Sequence, residues 1–114
     1  MLETIFGNKT AAKLMLYLFH YGEAYSNGAA RDLGIALSQV QKQMDRFERA
    51  QILVSKKMGT TRIYQFNPKL GVVKKIIELI EVFYESIPLT EREKMFGVRR
   101  RPRLRGKPVI GEKK

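Results

Sequence analysis

One stretch constrains this chain more than any other: Leu33 to Phe66, L-G-I-A-L-S-Q-V-Q-K-Q-M-D-R-F-E-R-A-Q-I-L-V-S-K-K-M-G-T-T-R-I-Y-Q-F. From Leu37 on, apolar residues recur at Leu37, Val40, Met44 and Phe47, the pattern of a helix with one buried stripe. At about 100° per residue, Ser38, Gln39, Lys42, Arg46 and Arg49 project away from that stripe toward a single partner. Side chains of these kinds read base edges and hold phosphates. The period changes at Ile52. Leu53 to Met58 and Thr61 to Phe66 are each predicted as strands joined by Gly59 and Thr60, with Lys56, Lys57 and Arg62 near the tip. A helix followed directly by a basic hairpin is the second half of a winged helix.

The rest of the chain has to supply the first half and the core. Gly7 and Asn8 form a turn whose Asn caps a helix from about Lys9, after a short apolar lead-in, Met1 to Phe6. Ala11, Leu14, Leu18 and Tyr21 make the core stripe of that helix, and Met15, Leu16, Tyr17 and Phe19 leave it few polar positions. Such a helix is covered on more than one side, by the C-terminal helix of the same chain or by a second subunit. Gly22 ends it. Ser26 is placed as the N-cap of a short helix to Leu33 that Gly34 closes, with Gly28 inside costing about 1 kcal/mol relative to Ala. Short helix, Gly-containing turn and amphipathic helix make a helix-turn-helix, whose second helix enters the major groove.

The run L-G-I-x-L-S-x-V-Q-K-x-M-x-R-F-E-x-A-x-I-L-V-S-K-K-x-G-T-T-R-I-Y-Q-F-N-P resembles winged helix-turn-helix regulators of the ArsR and MarR type. It is most similar to the small winged-helix domains found alone or fused ahead of minimal nucleotidyltransferase domains. The resemblance spans Phe6 to Pro68 and implies DNA binding by the amphipathic helix and hairpin, often as a homodimer. Two positions depart from the family. Ala36 stands where a Ser or Thr cap is common, which shifts the expected cap to Ser38, and Gly28-Ala29 replaces a Glu-Leu pair, which weakens the short helix.

Metal sensing and catalysis find no residues to rest on. The chain has no cysteine and one histidine, His20, inside an apolar helix, so thiolate sites and disulfides are excluded and no metal or cofactor is expected. Glu78, Glu81 and Glu85 share one helix face with no second cluster and read as a solvated face. No Gly-Ser with spaced Asp residues accompanies them, so a non-enzyme is expected. No apolar run reaches the roughly 18 residues of a membrane span, and the N-terminus lacks a signal-peptide pattern, so a cytoplasmic protein without membrane contact is expected.

After Pro68 the helical period returns. Val73, Ile77, Ile80, Tyr84 and Ile87 form one apolar strip, and Val72, Leu79, Val82 and Phe83 a second. One strip serves the core and the other needs a partner, so a homodimer through the 69–87 helix is expected, with Val73, Ile77, Ile80 and Tyr84 as the seam. Burial of both strips within one domain is the alternative. Ser86 to Leu89 breaks this helix, and Thr90 with Glu93 has capping-box spacing for a short helix to about Phe96.

Net charge is +11, and residues 97–114 hold eight cations against Glu112, hence +7 of it. Arg99, Arg100, Arg101, Arg103 and Arg105 lead this Pro-interrupted arm, which is too basic to pack and attracts phosphates without regard to sequence. Its Arg-Gly-Lys-Pro at 105–108 is similar to an AT-hook core, with Lys107 weakening the match.

The fold read from the sequence is mainly α with a small β-hairpin wing, in the α+β class. A winged helix-turn-helix over 1–68 is followed by a helical extension over 69–96 and a basic arm over 97–114. The function read from it is a sequence-specific regulator of transcription that binds double-stranded DNA. Two other classes stay open. One is a winged helix that contacts a separately encoded protein such as a nucleotidyltransferase or toxin, and the other is an RNA binder, for which exposed stacking aromatics would be expected.

Overall fold

Asn8 starts the structural core: its backbone is extended and its Oδ1 accepts from the Ala11 N–H at 2.8 Å, capping the first long helix where the sequence put the cap. The computed structural model describes residues 1–96, so the expectations placed on Arg99, Arg100, Arg101, Arg103 and Arg105 lie outside the described residues. The elements in order are α1 (Leu2–Phe6), α2 (Lys9–Tyr21), α3 (Ser26–Leu33), α4 (Leu37–Arg49), β1 (Leu53–Met58), β2 (Thr61–Phe66), α5 (Gly71–Ser86) and α6 (Leu89–Phe96). This is a winged helix-turn-helix with an added long C-terminal helix.

The hairpin register matches its sequence pattern residue for residue. Leu53 pairs with Phe66, Ser55 with Tyr64, Lys57 with Arg62, and Met58 with Thr61. An element missed by the sequence reading joins it: Ala24, just before α3, bridges Tyr64 with N–H···O bonds in both directions, at 3.0 and 2.7 Å. The entrance to the helix-turn-helix is thereby pinned to the wing.

Helix α2 lies at the centre, packed by α1, α3, α4 and α5. Leu14, Met15 and Leu18 are fully buried, each removal from water contributing about 1.5–3 kcal/mol. The cover that the sequence left open comes from α5 of the same chain, whose Val73 and Ile80 are buried at 1% and 0% exposure. That overturns the expected seam, because Val73 and Ile80 face this domain's own core.

Local details correct four further expectations. Met1 to Phe6 is a helix and not a lead-in, since Leu2 and Phe6 at i, i+4 both bury and Phe6 meets the Phe47 ring edge-on at 6.1 Å. Helix α3 starts at Ser26 itself, with Tyr25 in the N-cap position and no side-chain cap. Ser38 caps nothing either, because Ala36 holds the N-cap of α4 and Ser38 is inside the helix. Thr90 lies within α6, and the N–H groups of Glu91 and Arg92 bond the Pro88 carbonyl at 2.9 and 3.0 Å.

Gly28 has a role beyond weakening its helix. A Cβ there would come within 2.9 Å of the Tyr25 ring, so the missing side chain is the seat on which that ring packs.

Candidate nucleic-acid interface

Gly34 makes the turn that aims α4: its φ of 68° is left-handed, and its N–H closes α3 on the Ala30 carbonyl. Beyond that turn α4 presents Val40, Gln43, Met44 and Phe47 inward, all buried. Ser38, Gln39, Lys42 and Arg49 are exposed on the other side, and no side chain among these four makes a hydrogen bond or ion pair to another described residue. No acidic residue occupies the first turn of α4, so the positive end of its dipole is left for an anion.

The wing brings two of its three predicted cations to one face. Because alternate strand residues point to opposite faces, Lys57 and Arg62 share the face of Leu53, Ser55 and Tyr64, where the buried side chains place the core. Lys56 pairs with Ile63 on the opposite face, so of the three cations placed near the tip only Lys57 and Arg62 share a face.

Arg46 is the clearest correction to the predicted site. Its backbone is on the exposed side, yet the guanidinium turns back, donates from Nη2 to the Phe6 carbonyl, and lies 4.8 Å from the centre of the Phe47 ring. Arg46 therefore closes the C-terminal end of α1, where carbonyls lack helical partners, and a cation is favoured there by the dipole. Gly7 makes room for it, since a Cβ would stand 3.2 Å from Nη1.

Between α4 and the wing lies a polar network absent from the sequence reading. Gln41 Nε2 donates to Asp45 Oδ1 at 2.9 Å and to the hydroxyl of buried Tyr64 at 3.1 Å. Ser55 donates to Glu48 Oε2 at 2.5 Å and accepts from Arg62 Nη1 at 3.1 Å. Asp45 thus places a carboxylate on the outward side of α4 beside Lys42. The i, i+4 spacing of Gln41 and Asp45 was a usable signal for the first link; nothing in the sequence marks the Ser55 link. Gln41, Arg62 and Tyr64 also line a cleft of about 290 Å³ with Tyr25, Asn27 and Thr60.

Away from this face, α3 carries Arg31 beside Asp32 at 3.6 Å. A side-chain hydrogen bond with Tyr25 raises its already high pKa, so it is a cation at any ordinary pH. His20 is likewise spoken for: its Nδ1 meets the Tyr84 hydroxyl at 2.6 Å and its ring stacks on Phe96 at 4.5 Å. Among the described residues no three His, Asp or Glu side chains gather as a metal site, and no helix is long and apolar enough to cross a membrane.

The architecture defines a winged helix, and a solved structure shares it. No family model matches the sequence, and no curated protein matches it. The chain is similar to the crystal structure of the AntR antimony-specific transcriptional repressor, with a TM-score of 0.58 and 22% identity. The likeness covers 80% of this chain and 78% of that one, and at this identity it speaks for the fold.

Proposed function

We propose that this chain is a transcriptional regulator that binds double-stranded DNA sequence-specifically, with α4 in the major groove and the wing on the adjacent backbone or minor groove. The observation that carries the reading is the unengaged face of α4, where Ser38, Gln39, Lys42 and Arg49 stand in water with no partner among the described residues. Uncommitted polar side chains on a helix held rigid by its buried stripe are what base reading requires. Lys57 and Arg62 add phosphate contacts from one face of the wing, and Lys56 adds positive charge on the other. Arg99, Arg100, Arg101, Arg103 and Arg105 add sequence-independent attraction. The fold shared with a transcriptional repressor supports the same reading. Antimony belongs to that protein, and no metal or cofactor enters this one.

The same reading includes a homodimer. Along α5, Val72 is 64% and Leu79 38% exposed, next to half-buried Ile76 and Phe83, which pack against the core of this chain. Val82, at 66%, borders them. A second copy covering this strip would present two α4 helices to a pseudo-palindromic site. A separately encoded protein, such as a nucleotidyltransferase or toxin, covering the strip instead is the second reading, favoured by the same exposed apolar surface.

Titration of a duplex at several salt concentrations tests the proposal. Affinity should fall with a log–log slope of about −0.9 per phosphate contacted, and selection from random duplexes should return one palindromic motif. Undetectable binding at low salt removes the DNA reading.

A further inference from the structure

We infer that Glu48, a carboxylate on the DNA-binding helix, is a positioning residue for DNA binding: through the Ser55 hydroxyl it holds Arg62 at the cleft between α4 and the wing. The inference rests on the DNA-binding reading above. A Glu on such a helix would otherwise be expected only to repel phosphates, but here its Oε2 accepts from a hydroxyl of the wing. The Ser55 hydroxyl has one proton and two lone pairs; the proton goes to Glu48 Oε2 at 2.5 Å, and a lone pair receives Arg62 Nη1 at 3.1 Å. Each partner thereby fixes the role of the next.

The strand register explains why Arg62 needs such a hold. It stands directly across from Lys57, and like charges facing each other across a hairpin push their side chains apart. Ser55 is the diagonal neighbour one pleat nearer the base of the wing, within reach of a long side chain. Drawn toward it, Arg62 lines the cleft beside Gln41 and Tyr64, close to the helix that reads bases, while Lys57 keeps the tip. An arginine already ordered there loses less rotamer freedom when a phosphodiester arrives. Glu48 is attached to α4 and Ser55 to β1, so the relay also fixes the angle between the two DNA-contacting elements.

The test turns on a sign. Removing a carboxylate from a DNA-facing surface should tighten binding if Glu48 acts only by its charge. If it positions Arg62, Glu48→Ala should weaken binding of the full chain to a generic duplex by about three- to tenfold at low salt. Glu48→Gln, whose amide oxygen can still accept from Ser55, should bind within about twofold of wild type or tighter. Ser55→Ala breaks the same relay with no change in charge, and should lose at least as much as Glu48→Ala. In an Arg62→Ala background the Glu48→Ala loss should vanish and become a small gain. Thermal unfolding of each variant separates a binding effect from unfolding, and Ser55→Ala carries the comparison if Glu48→Ala does not fold. Wild-type binding with a Glu48→Ala variant equal or tighter, or a loss that persists without Arg62, overturns the inference alone. A wild type that binds no duplex overturns the DNA reading and this inference with it.

Discussion

Helices α4 and α5 are both amphipathic and both lay one stripe on the core that α2 organises, but they differ in what they leave outside. The free face of α4 is polar and charged and stable in water, although Leu37 at its start, expected in the buried stripe, is exposed. That of α5 keeps Val72, Leu79 and Val82 in solvent, beside the charged side formed by Lys74, Lys75, Glu78, Glu81 and Glu85. An exposed Lys75–Glu78 pair at 3.4 Å contributes little to holding it. The two faces therefore call for different partners. A polar face exchanges water and counterions for a polyanion, whereas an apolar strip gains by excluding water against another apolar surface.

The largest expected effect separates the two strips of α5. Ile80→Glu should unfold the domain, since an unpaired carboxylate at a fully buried site costs several kcal/mol, more than about 4 on the usual scale of severe substitutions. Leu79→Glu, one residue away, should leave the melting curve nearly unchanged and raise the dimer dissociation constant by roughly a hundredfold, because both copies carry the charge into the seam. Sedimentation and calorimetry on the two variants read these outcomes. A wild type that is monomeric at micromolar concentration would break the comparison on the α5 side.

On the α4 side the effect is smaller. Lys42→Ala should cost about 1–3 kcal/mol on the preferred site and relax its sequence preference, as loss of a base reader does. Lys57→Ala should weaken preferred and random duplex alike. Equal losses for Lys42→Ala on both duplexes would show that this face attracts DNA without reading it.

The smallest effect concerns how α4 ends. Gln51, the residue after its C-cap Ala50, has φ 68°, a left-handed conformation that a side chain disfavours and glycine adopts freely. Its carbonyl is held by Asn67 Nδ2 at 3.0 Å, at the base of the wing. Gln51→Gly should therefore raise stability by about 1 kcal/mol or less in chemical denaturation. A loss would mean that the Gln51 side chain packs usefully at that corner.

These contrasts also mark how far the sequence could be read. Helix α4 and the wing were legible because the change of period at Ile52 and the Gly59 turn leave one register in which Leu53 and Tyr64 bury. The Asn8 cap and the Gly34 stop were legible because their chemistry is local. Periodicity found both strips of α5 but not which one meets α2, since that depends on packing between residues far apart in the chain. The α1 helix was missed for the same reason, its five residues depending on Phe47 and Arg46 for their stability. Arg46 shows a further limit: a helical wheel locates a Cα, whereas a long guanidinium side chain can end on a neighbouring carbonyl.

The paired bonds between Ala24 and Tyr64 carry one more consequence. They close a loop of some forty residues that contains the whole helix-turn-helix, and an isolated two-stranded hairpin is marginal in water. The wing should consequently gain its order from the helices it follows instead of folding on its own. In deuterated solvent, the Ala24 and Tyr64 amides should exchange only when the whole domain opens, whereas those around Gly59 should exchange by fraying of the tip. The wing would then be anchored at its base and loose at its end, so that Lys57 at the tip could shift along a phosphate backbone while Arg62 and the angle of α4 stayed fixed.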